Sequence, residues 1–480
     1  MRTSKWTVSW CRKHIVGAAL LCLGLMASAV DAWGQAGGTG PLRPGAPGAA
    51  PVQEVTQPLA PTPPVVTPGN LLGDWFGLRT KLSEMGIVLG LGMTSELAKN
   101  VTGERIGFDI DTAFVYSADI DWGKLANLNG LHTHFLGVTK TGRNLSSDYL
   151  GDHIGQAQEI FGATFDMGFK FVYLYGDLDL ADGRVNVAAG RMPMDVDFAT
   201  SPFNCVPIAL TPQCGVPRAI ATMNAFPNGP VSTWGGRVRM YPLPELYVQT
   251  GAYETQPFPA GGRTGWQWGT SNATGLAVPL EIGWNPSFGG TSQLTGHYKI
   301  GGIFDTSTYP DLLNNVLGQP IGLFNTLPGA PIRGQFGLWV MADQMLYRWG
   351  PIANQGLILQ TSYAHVAANS KIIANTAFVG LGAKGFFPSR PLDVGTVSFG
   401  WWGINNRLTT LQEIDRASGL PIANGALGPQ TSEYVMEADY SFLVYPGVVI
   451  EPGIQYWWNP NADRLVKNAL VFAGRLHIDF

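Results

Sequence analysis

Apolar and polar residues alternate along most of the chain, and its C-terminal stretch shows the pattern most clearly. In residues 470–480 every second residue is apolar or glycine, and the residues between them include Arg475, His477 and Asp479. A period of two places the two sets on opposite faces of a β-strand. One face therefore suits lipid or a core, whereas the other face suits water.

Residues 108–122 repeat this alternation with four carboxylates on one face. Their even positions are mostly apolar or aromatic, and the odd positions include Asp109, Asp111, Asp119 and Asp121. Unpaired carboxylates are intolerable in a dry core, but they are ordinary on the water-filled side of a barrel wall. The segment therefore favours a membrane β-barrel over a secreted β-sandwich lectin.

Segments with this period predict about sixteen strands in an all-β, antiparallel transmembrane barrel. The predicted strands are 87–98, 108–122, 131–141, 170–180, 184–192, 233–241, 245–254, 275–284, 294–305, 335–347, 356–366, 372–384, 395–403, 432–444, 447–458 and 468–480. The longest gaps, which predict long loops, are 142–169, 193–232, 255–274, 306–334 and 404–431. Short turns at one end and long loops at the other are typical of outer-membrane barrels.

The first 32 residues have the composition of a secretory signal peptide. Four cations, Arg2, Lys5, Arg12 and Lys13, precede an apolar run at 15–26. The run is shorter than the ~20 residues that a spanning helix needs, and small residues suited to cleavage follow it. We expect removal of residues 1–32, with the cut between positions 29 and 36. The alternative is an uncleaved membrane anchor.

Two further segments precede the strands. Residues 33–69 are rich in Pro, Gly and Ala, a composition that favours extended chain and cannot bury a core, so they predict a periplasmic linker. Residues 70–86 predict a short amphipathic periplasmic helix, with Asp74 as its N-cap and Gly86 at its C-terminal end. The barrel would then occupy residues 87–480.

Composition narrows the class of protein and its partners. Charged residues make up only 13% of the chain, against about 25% in soluble domains. The net charge of −4 offers no basic surface for nucleic acid. Once the signal segment is removed, Cys205 and Cys214 remain as an even pair in an exported chain, which predicts one disulfide. Two free buried thiols are the alternative.

Several motifs, taken in order, carry a resemblance to a known family. They are Leu-Gly-Asp-Trp-Phe-Gly-Leu-Arg at 72–79, Gly-Arg-Met-Pro at 190–193, the cysteine-bearing stretches at 203–205 and 214–215, Ser-Thr-Trp-Gly-Gly-Arg-Val-Arg at 232–239, and the segments 433–440, 444–447 and 452–456. Together they resemble the OprB family of carbohydrate-selective outer-membrane porins. The linker and residues 255–430 show little of this resemblance.

The resemblance implies a fold, a function and a location. Members of that family form sixteen-stranded barrels with a narrow lumen that passes monosaccharides such as glucose by diffusion, with disaccharides left open. The implied location is the outer membrane of a Gram-negative bacterium, in contact with lipid and lipopolysaccharide. A terminal Phe480 after alternating apolar residues is what the barrel-assembly machinery reads in such proteins. The oligomeric state, monomer or trimer, is open.

A sugar-selective pore needs hydrogen-bonding groups for hydroxyls and flat apolar surface for C–H faces. The candidate pore-lining residues are Glu96, Arg191, Arg237, Arg239, Glu437, Glu451 and Arg475, with Trp402 as a stacking face. Parity also turns Asp109, Asp111, Asp119, Asp121, Lys299, Asp343, Asp439 and Gln455 inward and leaves Trp339 and Trp457 as further stacking faces. Arg191 is an exception, since parity places it outward while its motif favours the pore. The alternative is that these charges form salt bridges that only satisfy one another.

Catalysis and metal binding find little support in the sequence. No nucleophile elbow, zinc-protease motif or phosphate-binding loop is present. His132 and His134 alternate without a third nearby ligand, so we interpret them as ordinary strand residues. We expect no cofactor, no metal and no enzyme activity. A general diffusion porin is the main alternative function, and an outer-membrane barrel hydrolase is a weaker one.

Overall fold

The computed structural model describes residues 69–480 except 159, 161–165, 204–206, 210–214, 257–267, 290–292, 324–326, 353 and 368. The signal segment, all of the linker except Gly69, and both cysteines of the predicted disulfide lie outside the described residues. Those expectations therefore stay predictions.

Sixteen strands form one antiparallel sheet that closes on itself, because each strand pairs with the next and the last pairs with the first. They are β1 Ile87–Asn100, β2 Phe108–Asp121, β3 Leu131–Gly142, β4 Met167–Leu180, β5 Val185–Met192, β6 Thr233–Leu243, β7 Leu246–Thr255, β8 Gly275–Trp284, β10 Leu294–Asn315, β11 Gly329–Arg348, β12 Gly356–Val366, β13 Ile373–Lys384, β14 Val394–Ile404, β15 Ser432–Tyr445, β16 Val448–Trp458 and β17 Ala469–Asp479. The two-residue strand β9, Ser287–Phe288, pairs only with the start of β10. The predicted fold class is confirmed.

The helices are short and lie before β1 or in the segments that connect strands. The α-helices are α1 Leu78–Glu84, α2 Trp122–Ala126, α3 Arg218–Ala221 and α4 Asn406–Ala417. Single 3₁₀ or π turns cover Trp75–Gly77, Ser146–Leu150, Met194–Val196, Ile321–Leu323, Ala423–Gly425 and Pro460–Ala462. None of the helices in the described ranges has both the length and the apolar character to cross a membrane.

The structure differs from the sequence prediction in two of the long loops. Strands β10 and β11 continue into the predicted loop 306–334, where Thr308 pairs with Arg333 and Tyr309 with Ile332 beyond a register shift. Helix α4 occupies part of the predicted loop 404–431, and the Asn405 side chain caps it by accepting from the Arg407 N–H. Neither segment keeps the alternation of apolar and polar residues from which the strands were predicted.

The short N-terminal helix is present, but its capping and contacts differ from the expectation. The Asp74 Oδ1 accepts from the Thr80 N–H at 2.8 Å instead of capping the first turn directly. Phe76, Leu78 and Met85 on the apolar side are exposed. The segment is held at the end of the last strand, where the Leu71 N–H donates to the Asp479 carbonyl at 2.7 Å.

Inward and outward faces follow the predicted parity. On β2, Phe108 and Ile110 are exposed on the outer face, whereas Asp109 and Asp111 are buried on the inner face. An exposed apolar outer face suits lipid. The buried inner face shows that the lumen is largely filled.

The barrel closes at a buried ion-pair cluster. Strands β1 and β17 pair so that Glu96 lies opposite Arg475. The Arg475 guanidinium reaches Glu96 at 2.8 Å and Glu451 of β16 at 2.9 Å. All three side chains are at most 1% exposed, so little solvent screens the cluster.

Replacing Arg475 by Met should strongly destabilise the barrel. Removing one partner of a buried ion pair leaves uncompensated charge and costs about 3–5 kcal/mol. The measurement is the unfolding temperature from heat-modifiable mobility in detergent gels.

Arg143→Ala is the matched control. Its ion pair with Asp148 is short, but Arg143 is 73% exposed, and exposed pairs contribute about 0–1 kcal/mol. Equal unfolding temperatures for the two variants would contradict the claim that the buried cluster stabilises the barrel.

Candidate functional site

The described residues of two long loops lie inside the barrel and narrow its lumen. We call residues 143–166 inner loop 1 and residues 193–232 inner loop 2. Inner loop 2 is fixed to one side of the wall, since the Ala199 N–H donates to Glu281 of β8 at 2.8 Å and Ser201 donates to Asp343 of β11 at 2.6 Å. The constriction of the lumen is therefore built from loop backbone on wall carboxylates.

Apolar side chains explain why inner loop 2 lies inside. Phe198, Ile208, Ile220 and Phe226 of the loop are at most 2% exposed. Phe226 packs edge-on against Trp339 of β11, with 6.2 Å between ring centroids. Burial of these groups drives the loop off the barrel rim and into the lumen.

Arg237 and Arg239 form one charged anchor of inner loop 2. Both lie on the inner face of β6 and approach Asp197 of the loop at 2.8 and 3.0 Å. Gln249 of β7 adds a donor to the Asp197 carbonyl at 2.8 Å. These arginines, predicted as pore lining, are buried beneath the loop and hold it.

Glu437 and the closure cluster form the second anchor. The Ile208 and Ala209 N–H groups donate to Glu437 of β15, each at 3.1 Å. The Arg475 Nη2 donates to the Pro207 carbonyl at 2.9 Å. Glu437 and Arg475 thus contact one stretch of inner loop 2, and Glu96 and Glu451 are linked to it through Arg475. All four side chains are buried.

Inner loop 1 is anchored in the same way on neighbouring strands. The Ile160 N–H donates to Asp111 of β2 at 2.9 Å, and Asp111 also pairs with Lys140 of β3 at 3.2 Å. Gln455 of β16 donates to the Ala157 carbonyl at 2.8 Å. The aspartate face that singled out residues 108–122 is therefore used partly to bind loop backbone.

Trp402 is not an open stacking face. It stacks on Trp457 with 5.8 Å between centroids and 21° between planes, and both rings have no exposed surface. Gly155 of inner loop 1 lies against Trp457 closely enough that a Cβ there would come within 2.3 Å of the ring. The tryptophan pair supports the loop.

Arg191 lies apart from the other candidates, on the outer face of the barrel. Its strand partners are Leu174 and Trp234, which are outward-facing and 38% and 40% exposed. Its guanidinium donates to the Ser232 carbonyl at 2.7 Å. The structure therefore agrees with parity and runs against the pore-lining prediction for Arg191.

One cluster of partly exposed polar residues lies at the end of the barrel with short turns, which we call the short-turn end. His134 donates or accepts at 2.7 Å to both Asp119 and Asp177, and His132 lies 3.3 Å from Asp177. The side chains of Asp119 and His132 are 41% and 30% exposed. Within the described ranges, no group of three or more His, Cys, Asp or Glu side chains is arranged to hold a metal.

Sequence reasoning missed several members of these networks. Asp197 and the loop carbonyls lie in a segment without periodicity, so no local signal turns them inward. Asp177 and Asn186, linked at 2.9 Å, alternate with apolar residues on β4 and β5. Strand parity alone could have found this pair.

Two carboxyls of the inner loops have raised pKa values. Burial raises the pKa of Asp195 to about 7, although its carboxylate accepts from the Gly229 N–H at 2.9 Å. Burial also raises the pKa of Asp152 to about 6, although its carboxylate accepts hydrogen bonds from the N–H groups of Ile154 and Asn461, which lower the pKa. Asp152 also bonds to the Glu433 carboxyl, so the pair is satisfied when it holds one proton.

The chain is similar in sequence to a porin family and to individual porins. Residues 110–480 match the family described as carbohydrate-selective porin, OprB family. The chain is 30% identical to Porin B of Pseudomonas aeruginosa over 427 residues, covering 85% of this chain and 91% of that protein. It is 24% identical to the putative porin QuiX of Acinetobacter baylyi, covering 85% and 93%.

A solved structure is also similar over the whole barrel. The high-pH structure of Pseudomonas putida OprB superposes with a TM-score of 0.80 at 26% identity, covering 86% of this chain and 99% of that one. The similarity extends over the strands and the closure of the barrel.

Asp152→Asn should change how the stability of the protein depends on pH. A raised carboxyl pKa means that the folded state holds a proton that the unfolded state releases, so stability falls as pH rises from about 3.8 to about 6. The amide keeps an acceptor for the loop N–H groups and donates to Glu433 without titrating. Relative to the native chain, the variant should therefore gain stability between pH 4 and pH 7, measured by unfolding temperature.

Asp148→Asn is the matched acid-to-amide control, because Asp148 pairs with Arg143, which is 73% exposed. An Asp152→Asn variant whose stability tracks the native chain at every pH would contradict the shared proton.

Proposed function

The chain belongs to the OprB family of carbohydrate-selective porins, and from that premise we propose that it passes monosaccharides such as glucose through a lumen narrowed by inner loop 2. As a member, it is a sugar-selective porin of the Gram-negative outer membrane. Family membership also indicates a channel rather than an enzyme.

The observation that carries the substrate proposal is the anchoring of inner loop 2 on several strands of the wall. Its backbone and side chains bond to Glu281, Asp343 and Glu437 on three different wall strands. A loop fixed across the lumen limits the size of solutes and leaves polar backbone for sugar hydroxyls. Monosaccharides therefore fit this proposal better than larger sugars.

Charge balance in the wall supports selection for neutral solutes. Asp197 pairs with Arg237 and Arg239, which leaves one positive charge, and Arg475 pairs with Glu96 and Glu451, which leaves one negative charge, so the two clusters balance one another. These groups act on the pore by fixing the loop rather than by exposing a charged ring. Glu437 and Trp402 act in the same indirect way, and Arg191, on the outer face, has no role in the pore.

The proposal extends to the ends of the chain and its surroundings. Residues 1–32 direct export, 33–69 form a periplasmic linker, 70–86 lie at the periplasmic end, and 87–480 form the barrel. The outward apolar residues contact lipid and, in the outer leaflet, lipopolysaccharide. The terminal Phe480 is read by the barrel-assembly machinery.

Glu437→Gln and Asp197→Asn together should loosen inner loop 2. The Ala209 N–H donates to both carboxylate oxygens of Glu437, and a glutamine loses one of these acceptors together with the charge. An asparagine in place of Asp197 lacks the charge that pairs with two arginines. Single-channel conductance in planar bilayers should rise, and discrimination between glucose and larger sugars in liposome swelling should fall.

Glu104→Gln is the matched acid-to-amide control, because its contact with Lys467 spans 3.9 Å at the exposed end of the barrel. An unchanged conductance in the double variant would contradict the proposal that inner loop 2 forms the constriction. Swelling of the native protein that depends only on solute size would instead indicate a general diffusion porin.

Deleting Phe480 should reduce the amount of barrel in the outer membrane more than the conductance of barrels that assemble. In the folded protein its N–H makes one backbone bond, to the Leu91 carbonyl at 2.9 Å, so its loss changes the lumen little. Immunoblots of outer-membrane fractions and single-channel recordings measure the two effects. Phe480→Tyr, which keeps an aromatic terminus, is the control, and normal membrane levels after the deletion would contradict the proposal.

A further inference from the structure

An apolar recess lies in the lumen wall near the short-turn end. It is formed by Ile358 of β12, Phe378 of β13 and Val394 of β14, and Phe203 and Pro207 of inner loop 2 cover it. The three wall side chains point inward and are at most 7% exposed. Most lumen-facing positions nearby are polar, so this recess is a local exception.

Two glycines make the floor of the recess. Gly380 and Gly382 are inward-facing residues of β13, and neither has a positive φ. A Cβ on Gly382 would have only the Thr396 methyl near it, at 4.0 Å. The space exists because a side chain is missing, and an alanine or larger residue could occupy it without backbone strain.

The size of the recess limits what it can hold. Its volume is about 50 Å³, whereas a cavity that takes benzene measures roughly 150 Å³. An aromatic group is therefore too large, and a methyl-sized group fits.

The chemistry of the lining favours an apolar group over a hydroxyl. Thr396 donates to Asp439 at 3.3 Å, and Gln360 donates to the Phe203 carbonyl at 3.2 Å, so both are engaged. The Ser398 hydroxyl has no hydrogen-bond partner within the described ranges, but it also has almost no accessible surface. Lys384 also lines the recess and is engaged in an interaction of its own. Almost all of the recess surface belongs to apolar atoms, so a ligand hydroxyl placed there would lose water for little gain in hydrogen bonding, which is unfavourable.

We propose that the recess is a subsite for the methyl group of a permeating 6-deoxyhexose, so that the pore prefers such sugars over the matching hexoses. The inference rests on the proposed function, because it needs a sugar passing between inner loop 2 and the wall. The pyranose hydroxyls stay towards the polar backbone of the loop while the methyl group enters the recess.

Single-channel current block by D-fucose and D-galactose tests this preference. The two sugars differ only in the methyl or hydroxymethyl group at C5. Burial of the methyl group predicts that D-fucose blocks the purified full-length protein at about fourfold lower concentration than D-galactose. In Gly382→Leu, whose side chain fills the recess, the two sugars should block equally.

Two control variants separate the recess from other effects. Gly168→Leu adds the same side chain at an exposed position of β4, where a Cβ meets nothing within 4 Å. This variant should keep the preference for D-fucose. Ser398→Ala should also keep it, whereas loss of the preference there would show that a sugar hydroxyl, not a methyl group, occupies the recess and would overturn the proposal. Heat-modifiable mobility confirms that each variant is assembled.

The outcomes distinguish this inference from the proposed function. Sugars that enter liposomes and block the channel without any preference for D-fucose, or a preference that survives in Gly382→Leu, overturn the subsite alone. Absence of both entry and block for glucose and for the two test sugars overturns the proposed function and the subsite with it.

Discussion

The buried guanidinium of Arg475 connects the closure of the barrel to the shape of its lumen. It joins the last strand to β1 through Glu96 and to β16 through Glu451, and it also donates to the Pro207 carbonyl of inner loop 2. A charge with almost no solvent contact requires partners on every side. The residue that closes the wall therefore also fixes part of the constriction.

The same use of wall side chains recurs around the lumen. A β-barrel wall satisfies its own backbone, so its inward side chains are free to bond to other segments. Asp111, Glu281 and Glu437 use their carboxylates to accept loop N–H groups, on three separate parts of the wall. The apolar residues of the inner loops fill the space between these anchors. The described parts of both loops are thus held against the wall from several sides.

Strand periodicity was enough to predict the barrel but not its interior. A period of two is a local property, so parity placed Asp111, Arg475 and even the outward Arg191 correctly. The inward fold of residues 193–232 depends on contacts with strands far away in the chain, and the local sequence shows only a loop. For this reason the candidate charges were identified, while their partners in the loop, such as Asp197, were not.

The central claim is that inner loop 2 lies inside the barrel and forms the wall along which a sugar passes. Its most direct test is an experimental structure of the purified protein determined with glucose. The account predicts Ile208 and Ala209 on Glu437 and sugar density between inner loop 2 and the barrel wall. A loop that extends outside the barrel, or glucose bound only away from the loop, would contradict it.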